Sequence, residues 1–193
     1  MKRQDPLRKA VRRIETEGRK HSLCIYSATA IVLWKKWGKR QEAISRFFRA
    51  SHDVWKQCAT DQDCSMIKMC EAETGIEIQN GDGVSWRDVM YLNGTIPENM
   101  TYAQVLYMRQ QQLKWIRPQL VACMLITLRR KYGFGFERCW QFYGELEKVM
   151  AEHRANPDRL RRECFELTGI DTAVVVTTDG KEATRDALHE SDQ

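Results

Sequence analysis

Residues 132–138 read Tyr132-Gly133-Phe134-Gly135-Phe136-Glu137-Arg138, and the sequence around them recurs 95 residues earlier. Beyond residue 70 the recurrence continues at a spacing of 94 residues. The matched pairs include Leu33/Leu128, Lys36/Lys131, Gly38/Gly133, Glu42/Glu137, Phe47/Phe142, Cys70/Cys164, Thr74/Thr168 and Gly75/Gly169. Because self-similarity at a fixed period indicates a repeated structural unit, we predict two copies of one helical unit, at 21–78 and 116–172.

Each copy is predicted to fold as three short helices. Ile44, Phe48 and Trp55, for example, share one face of the second helix in the first copy, and Trp140 is assigned to the apolar, buried face of the second helix in the second copy. The matched glycines at 38, 75, 133 and 169 each follow such an apolar pattern, and glycine is typical of helix C-termini because it adopts the left-handed conformation there. The predicted fold class is all-α, with two similar three-helix units joined by a helical connector.

Other segments flank and join the copies. Residues 1–20 are predicted to form a basic amphipathic helix or arm, and 79–115 a linker and helical connector. Thr101 and Gln104 are spaced as a capping box that opens the connector helix. Pro118 is expected to kink or restart that helix, because proline cannot donate the interior hydrogen bond.

The end of the chain, 173–193, is predicted to be a short extended segment followed by a loose polar tail. Its first six residues, Ala173-Val174-Val175-Val176-Thr177-Thr178, form the only run dominated by β-branched residues. Residues 76–78 occupy the corresponding place after the first copy. These two segments are the candidates for a minor two-stranded β element.

Composition argues against membrane and secreted proteins. No apolar run reaches the roughly 18 residues that a membrane span needs, and residues 1–5 lead into charge instead of an apolar signal segment. We therefore expect a cytoplasmic protein without membrane contact. The seven cysteines, an odd number, are expected to be reduced thiols.

A zinc site is disfavoured by the spacing of its candidate ligands. His52, Cys58, Cys64 and Cys70 are six residues apart, whereas structural zinc ligands usually pair at about two to four residues. The position that corresponds to Cys64 in the second copy is Arg159, and arginine does not ligate zinc. We expect no metal and no cofactor.

No residue pattern indicates catalysis. The four histidines, at 21, 52, 153 and 189, do not combine with Cys, Ser or Asp as in a nucleophilic triad. Gly133-Phe134-Gly135 lacks the preceding strand and the Lys-Ser/Thr of a phosphate-binding P-loop. We therefore expect a protein that is not an enzyme.

Basic charge is concentrated at the start of the chain and at two equivalent turns. Residues 1–20 carry eight Lys or Arg against three acidic residues, which equals the +5 of the whole protein. Trp34-Lys35-Lys36-Trp37-Gly38-Lys39-Arg40 corresponds to Arg129-Arg130-Lys131-Tyr132-Gly133, each at a helix C-terminus. The helix macrodipole alone favours cations at a helix C-terminus. The alternative interpretation of the basic arm is a solvated surface helix.

The functional interpretation of this charge is a surface for a phosphate backbone, with aromatic rings available for stacking. The predicted nucleic-acid-binding residues are Arg8, Lys9, Arg12, Arg13, Lys35, Lys36, Lys39, Arg40, Arg129, Arg130 and Lys131. The alternative is a protein-binding or scaffold module, including a homodimer. Its predicted contact residues are Trp86, Tyr91, Tyr102, Tyr107 and Trp115.

The string 132–138, an aromatic helix after it and the closing Glu166-Leu167-Thr168-Gly169-Ile170-Asp171 resemble a family of small helical proteins encoded by phages and prophages of Firmicutes. The resemblance covers the second copy; the first has Gly38-Lys39-Arg40-Gln41 instead of the paired glycine and phenylalanine. It carries over no functional residue. It implies a mobile-element accessory protein in a bacterial host, a setting in which small proteins commonly bind host or phage machinery. Together with the basic arm and the two basic turns, it leads to the hypothesis of a protein that binds nucleic acid or a nucleoprotein complex, such as a host defence nuclease. Inhibitors of CRISPR effectors are one such class.

Overall fold

The computed structural model of the chain describes residues 6–60, 65–78 and 101–177. These residues form helices α1 (Pro6–Trp37), α2 (Gln41–Thr60), α3 (Met66–Thr74), α4 (Tyr102–Tyr132), α5 (Phe136–Glu152), α6 (Pro157–Thr168) and α7 (Thr172–Thr177). No strand occurs in these three ranges. The predicted all-α class is confirmed.

The helices end where the sequence predicts. α1, α3, α4 and α6 are each followed by a glycine with positive φ, at 58° for Gly38, 74° for Gly75, 62° for Gly133 and 72° for Gly169. The start of α4 is fixed by the predicted capping box, in which Gln104 N donates to Thr101 Oγ1 and Thr101 N donates to Gln104 Oε1. Local sequence therefore sets these four helix ends and the start of α4.

Two long helices cross boundaries that the sequence analysis placed between segments. α1 does not break at residue 20, so the predicted basic arm is the N-terminal half of α1. Gly18 lies inside this helix and is buried, and no stop signal accompanies it. α4 likewise joins the connector to the second copy and continues through Pro118. The expected restart at Pro118 is wrong. Its ring is buried, and this packing offsets the missing hydrogen bond.

The prediction of a minor two-stranded β element is also wrong. Residues 172–177 form α7, in which Ala173 N donates to the Asp171 carboxylate at 2.9 Å as at a helix N-terminus. Thr172 and Val175 are three residues apart and both buried, and Thr172 Oγ1 shares a hydrogen bond of 2.8 Å with Ser27 on α1. A cap and one buried helical face outweigh the β propensity of the run.

α1 and α4 lie side by side, and each packs on helices from the other half of the chain. We call 6–78 the first half and 101–177 the second half. α1 lies against α5 and α6, while α4 lies against α2 and α3. Buried apolar residues from both halves join in one core. The halves are therefore interlocked, and neither encloses its own core.

Corresponding positions of the two halves make reciprocal contacts. Trp37 packs on Phe142 with ring centroids 5.9 Å apart, and at the corresponding positions Tyr132 packs on Phe47 at 5.8 Å. Where α1 and α4 meet, Thr29 Oγ1 donates to the sulfur of Met124 at 3.0 Å. Residues 29 and 124 are 95 positions apart, so corresponding positions touch each other, as they do on a two-fold axis. The sequence repeat itself stays a prediction.

None of the helices described in these ranges is both long enough and apolar enough to cross a lipid bilayer.

Candidate nucleic-acid interface

The two basic turns predicted from the sequence lie next to each other. α1 and α4 end at the same end of the molecule, and left-handed glycines at 38 and 133 turn the chain into α2 and α5. The Trp37 ring lies 5.6 Å from the Phe134 ring, and Lys39 Nζ lies 5.6 Å from the centre of the Tyr132 ring. The fold thus brings basic residues that are 95 positions apart in sequence onto one surface.

Three of the predicted cations are paired with carboxylates of the same chain. Lys35 Nζ lies 2.8 Å from Glu163, Lys36 Nζ lies 3.4 Å from Glu145, and Arg130 Nε donates to Glu73 at 2.9 Å. The hydrogen bond from Lys35, followed by that from His153, holds the pKa of Glu163 below its usual value. The charges of Lys35, Lys36 and Arg130 are therefore compensated inside the protein.

Five other cations at this end have no carboxylate within salt-bridge distance among the described residues. We call them the turn-end surface, which consists of Lys39, Arg40, Arg129, Lys131 and Arg138. The Arg40 guanidinium lies 5.1 Å from the centre of the Trp34 ring, and that of Arg138 lies 4.9 Å from the Phe134 ring. Arg129 donates to the Phe134 carbonyl at 3.2 Å. Four of these residues were predicted, whereas Arg138 was missed.

The predicted arm residues lie far from the turn-end surface. Lys9, Arg12 and Arg13 are exposed in the N-terminal half of α1; Arg8 is also in α1, but its side chain is outside the described part. Arg13 and Trp37 are 24 residues apart on one helix, which corresponds to about 36 Å. The structure therefore divides the predicted nucleic-acid-binding residues between two separate regions.

An exposed aromatic stripe on α5 was missed by the sequence analysis, which assigned Trp140 to the buried face. The side chains of Phe136 and Trp140 are 54% and 55% exposed. Their rings are nearly parallel, at 15°, with centroids 6.3 Å apart. Tyr143 follows, 6.1 Å from Trp140. We call Phe136, Trp140 and Tyr143 the α5 stripe. Its spacing of four and three residues was the signal that these rings share one helix face.

A groove of about 580 Å³ lies where the α5 stripe ends, between α1, α4, α5 and the start of α6. Arg117 of α4 forms an ion pair with Glu147 of α5 at this point. The groove walls also carry His21, Lys114 and Arg154. All three side chains are exposed. The α5 stripe therefore has cations at both ends.

The residues predicted for protein binding are only partly described. Tyr102 and Tyr107 of α4 are 48% and 61% exposed. Trp86 and Tyr91 lie outside the described residues, as does the side chain of Trp115. The two tyrosines are thus exposed near the N-terminus of α4, whereas the turn-end surface lies at its C-terminus.

The cysteines do not form a metal cluster in the described ranges, where no three His, Cys, Asp or Glu side chains are placed to hold a metal ion. Cys58 is in a disulfide bond, which corrects the expectation of seven reduced thiols. The described free thiols are Cys24, Cys70, Cys123, Cys139 and Cys164. Burial raises the pKa of Cys70 and Cys164 to about 11, so both remain protonated at neutral pH.

No protein-family model, curated protein or solved structure matches this chain.

Proposed function

We propose that this protein acts by stoichiometric binding of a nucleic acid or a nucleoprotein complex through the turn-end surface. The observation that carries the proposal is the meeting of the two basic turns, which places five cations with no carboxylate partner among the described residues on one surface. Phosphate groups favour such surfaces because each neutralised phosphate releases a condensed counterion. The exposed rings beside it suit nucleic acid better than a simple anion.

The resemblance of 132–138 and 166–171 to phage and prophage proteins extends the proposal to a biological setting. The protein would act in the cytoplasm of a bacterial host and inhibit a defence nuclease, such as a CRISPR effector. Since a nucleoprotein complex itself holds nucleic acid, a cationic surface suits a free nucleic acid and a nucleoprotein complex alike. Inhibition without turnover would then rise in proportion to the protein added and stop at a fixed molar ratio.

Anisotropy of labelled nucleic acid tests the binding proposal. We expect the double variant Lys39→Glu/Lys131→Glu to bind more weakly, by about tenfold near 0.1 M salt for each phosphate that the surface no longer neutralises. Arg159→Glu/Arg162→Glu is the matched control, because it makes the same charge change at two exposed residues of α6. Equal decreases in affinity for Lys39→Glu/Lys131→Glu and for this control would refute a role for the turn-end surface.

A second candidate function, protein binding, is favoured by Tyr102 and Tyr107. Exposed tyrosines are enriched in protein interfaces because they contribute a large, rigid contact area. Tyr102→Ala/Tyr107→Ala should then abolish capture of a partner protein while leaving nucleic-acid affinity unchanged. If this variant failed to bind nucleic acid instead, the two functions would not be separable at these positions.

A further inference from the structure

We infer that the α5 stripe is a binding site for unpaired bases, so that the preferred ligand is a single-stranded nucleic acid that follows α5 from the turn-end surface to the groove. This inference rests on the proposed function and specifies its ligand. It assigns a role to Phe136, Trp140 and Tyr143, which the phosphate-binding surface alone does not need.

Exposure of the rings is the first observation. Two large aromatic side chains more than half exposed, on one helix face, leave apolar area in water that a partner would cover. One edge of the Phe136 ring packs close to Gly75, so close that a Cβ added to this glycine would lie 3.1 Å from the ring. Trp140 is supported on both sides by Phe136 and Tyr143. The rings are therefore positioned as well as exposed.

Charge at both ends of the stripe is the second observation, and it favours a nucleic acid over a protein. Arg138 lies in the first turn of α5 and Lys131 in the last turn of α4 before it, and Lys114 and Arg154 lie at the groove near the other end of α5. The face itself carries Gly144 and then Glu147, whose carboxylate is paired with Arg117. Bases would stack on the rings while phosphates lie along the flanking cations, which is how sequence-tolerant single-strand binders work.

The length of the stripe fits several nucleotides. Phe136 and Tyr143 are seven residues apart on one helix, or about 10 Å. At about 3.4 Å per stacked base, this distance accommodates roughly three bases. A duplex cannot use the rings in this way, because its bases are already stacked on each other. The inference therefore predicts a preference for single strands.

The test compares a short labelled single strand with the same strand annealed to its complement. Trp140→Ala should weaken single-strand binding by about tenfold or more and leave duplex binding unchanged. Trp140→Phe should restore most of the affinity, because it keeps a ring for stacking. Tyr107→Ala is the control, since Tyr107 is an equally exposed ring on α4. Circular dichroism of each variant establishes that it is folded.

The outcomes separate this inference from the proposed function. Salt-dependent binding that is equal for single strand and duplex, and insensitive to Trp140→Ala, would overturn the stacking site and keep the proposed function. No binding of either ligand would overturn both. A dimer in sedimentation that Trp140→Ala dissociates, without any effect on nucleic acid, would instead assign the stripe to a second copy of the chain.

Discussion

Replacing Phe142 by alanine should destabilise the whole molecule, because this ring joins the two halves. Phe142 is completely buried and packs on Trp37 across the interlocked core. Truncation of a buried phenylalanine costs about 3 to 5 kcal/mol, from the transfer free energy of the removed ring and from the cavity left behind. For a chain of this length we expect a decrease in Tm of about 6 to 20 °C.

The reciprocal position provides a matched test. Phe47 is 1% exposed and packs on Tyr132 in the same way, so Phe47→Ala should cost a similar amount. Phe136→Ala, at a ring that is 54% exposed, should change the free energy of unfolding by less than about 1 kcal/mol. Thermal unfolding followed by circular dichroism measures all three variants.

The shape of the transition matters as much as its midpoint. Since each half is packed on helices of the other, both core variants should unfold in one cooperative transition. Two separate transitions, with one unchanged from the wild type, would show that the halves are independent lobes. That result would refute the interlocked core.

Three further changes have expected outcomes. Gly133→Ala should destabilise the protein by about 1 to 2 kcal/mol, because Gly133 has a positive φ of 62° that alanine adopts with strain. Gly144→Ala should stabilise the protein by about 0.5 to 1 kcal/mol. An added Cβ meets no atom within 4 Å at either glycine, but the backbone of Gly144 is helical. Chemical denaturation should therefore give changes of opposite sign in the free energy of unfolding for the two variants, and changes of the same sign would contradict this explanation. The lowered pKa of Glu163, due first to Lys35 and then to His153, adds stability above about pH 4.5 that is lost as pH falls through the folded-state value. Glu163→Gln should therefore be less stable than wild type at pH 7, by under about 1 kcal/mol, and equally stable in strong acid; a difference independent of pH would argue against the ion pair.

The C-termini of four helices and the start of α4 were predictable from the sequence because local chemistry sets them. Glycine after an apolar helical pattern ends α1, α3, α4 and α6, and a capping box begins α4. The failure at 172–177 has a local cause that was overlooked, since Asp171 caps this segment. Residue type alone favoured a strand, whereas the cap and the packing on α1 decided for a helix.

The packing of each long helix on helices of the other half was not predictable. An apolar pattern shows which face of a helix is buried, but not which element covers that face. The faces of α5 and α6 would suit either long helix, and the fold places them on α1. Trp140 was assigned to the core for the same reason. Its helical position is compatible with burial, and only the arrangement of neighbouring helices leaves it exposed.

The candidate site was predictable only in part. The residues of the two basic turns stood out by composition, but the sequence did not show that the turns meet or that Glu163, Glu145 and Glu73 compensate three of their charges. Those carboxylates come from α6, α5 and α3, far away in sequence. Long-range pairing of this kind depends on the tertiary fold and leaves no local pattern.

Binding of labelled single-stranded nucleic acid across a salt series tests whether the turn-end surface binds phosphate groups. We predict that the logarithm of the association constant falls linearly with the logarithm of salt concentration. Lys39→Glu/Lys131→Glu should reduce the steepness of this line by about one for each phosphate that the surface no longer neutralises. Binding that does not depend on salt, or an unchanged slope in the double variant, would contradict a phosphate-binding role for the turn-end surface.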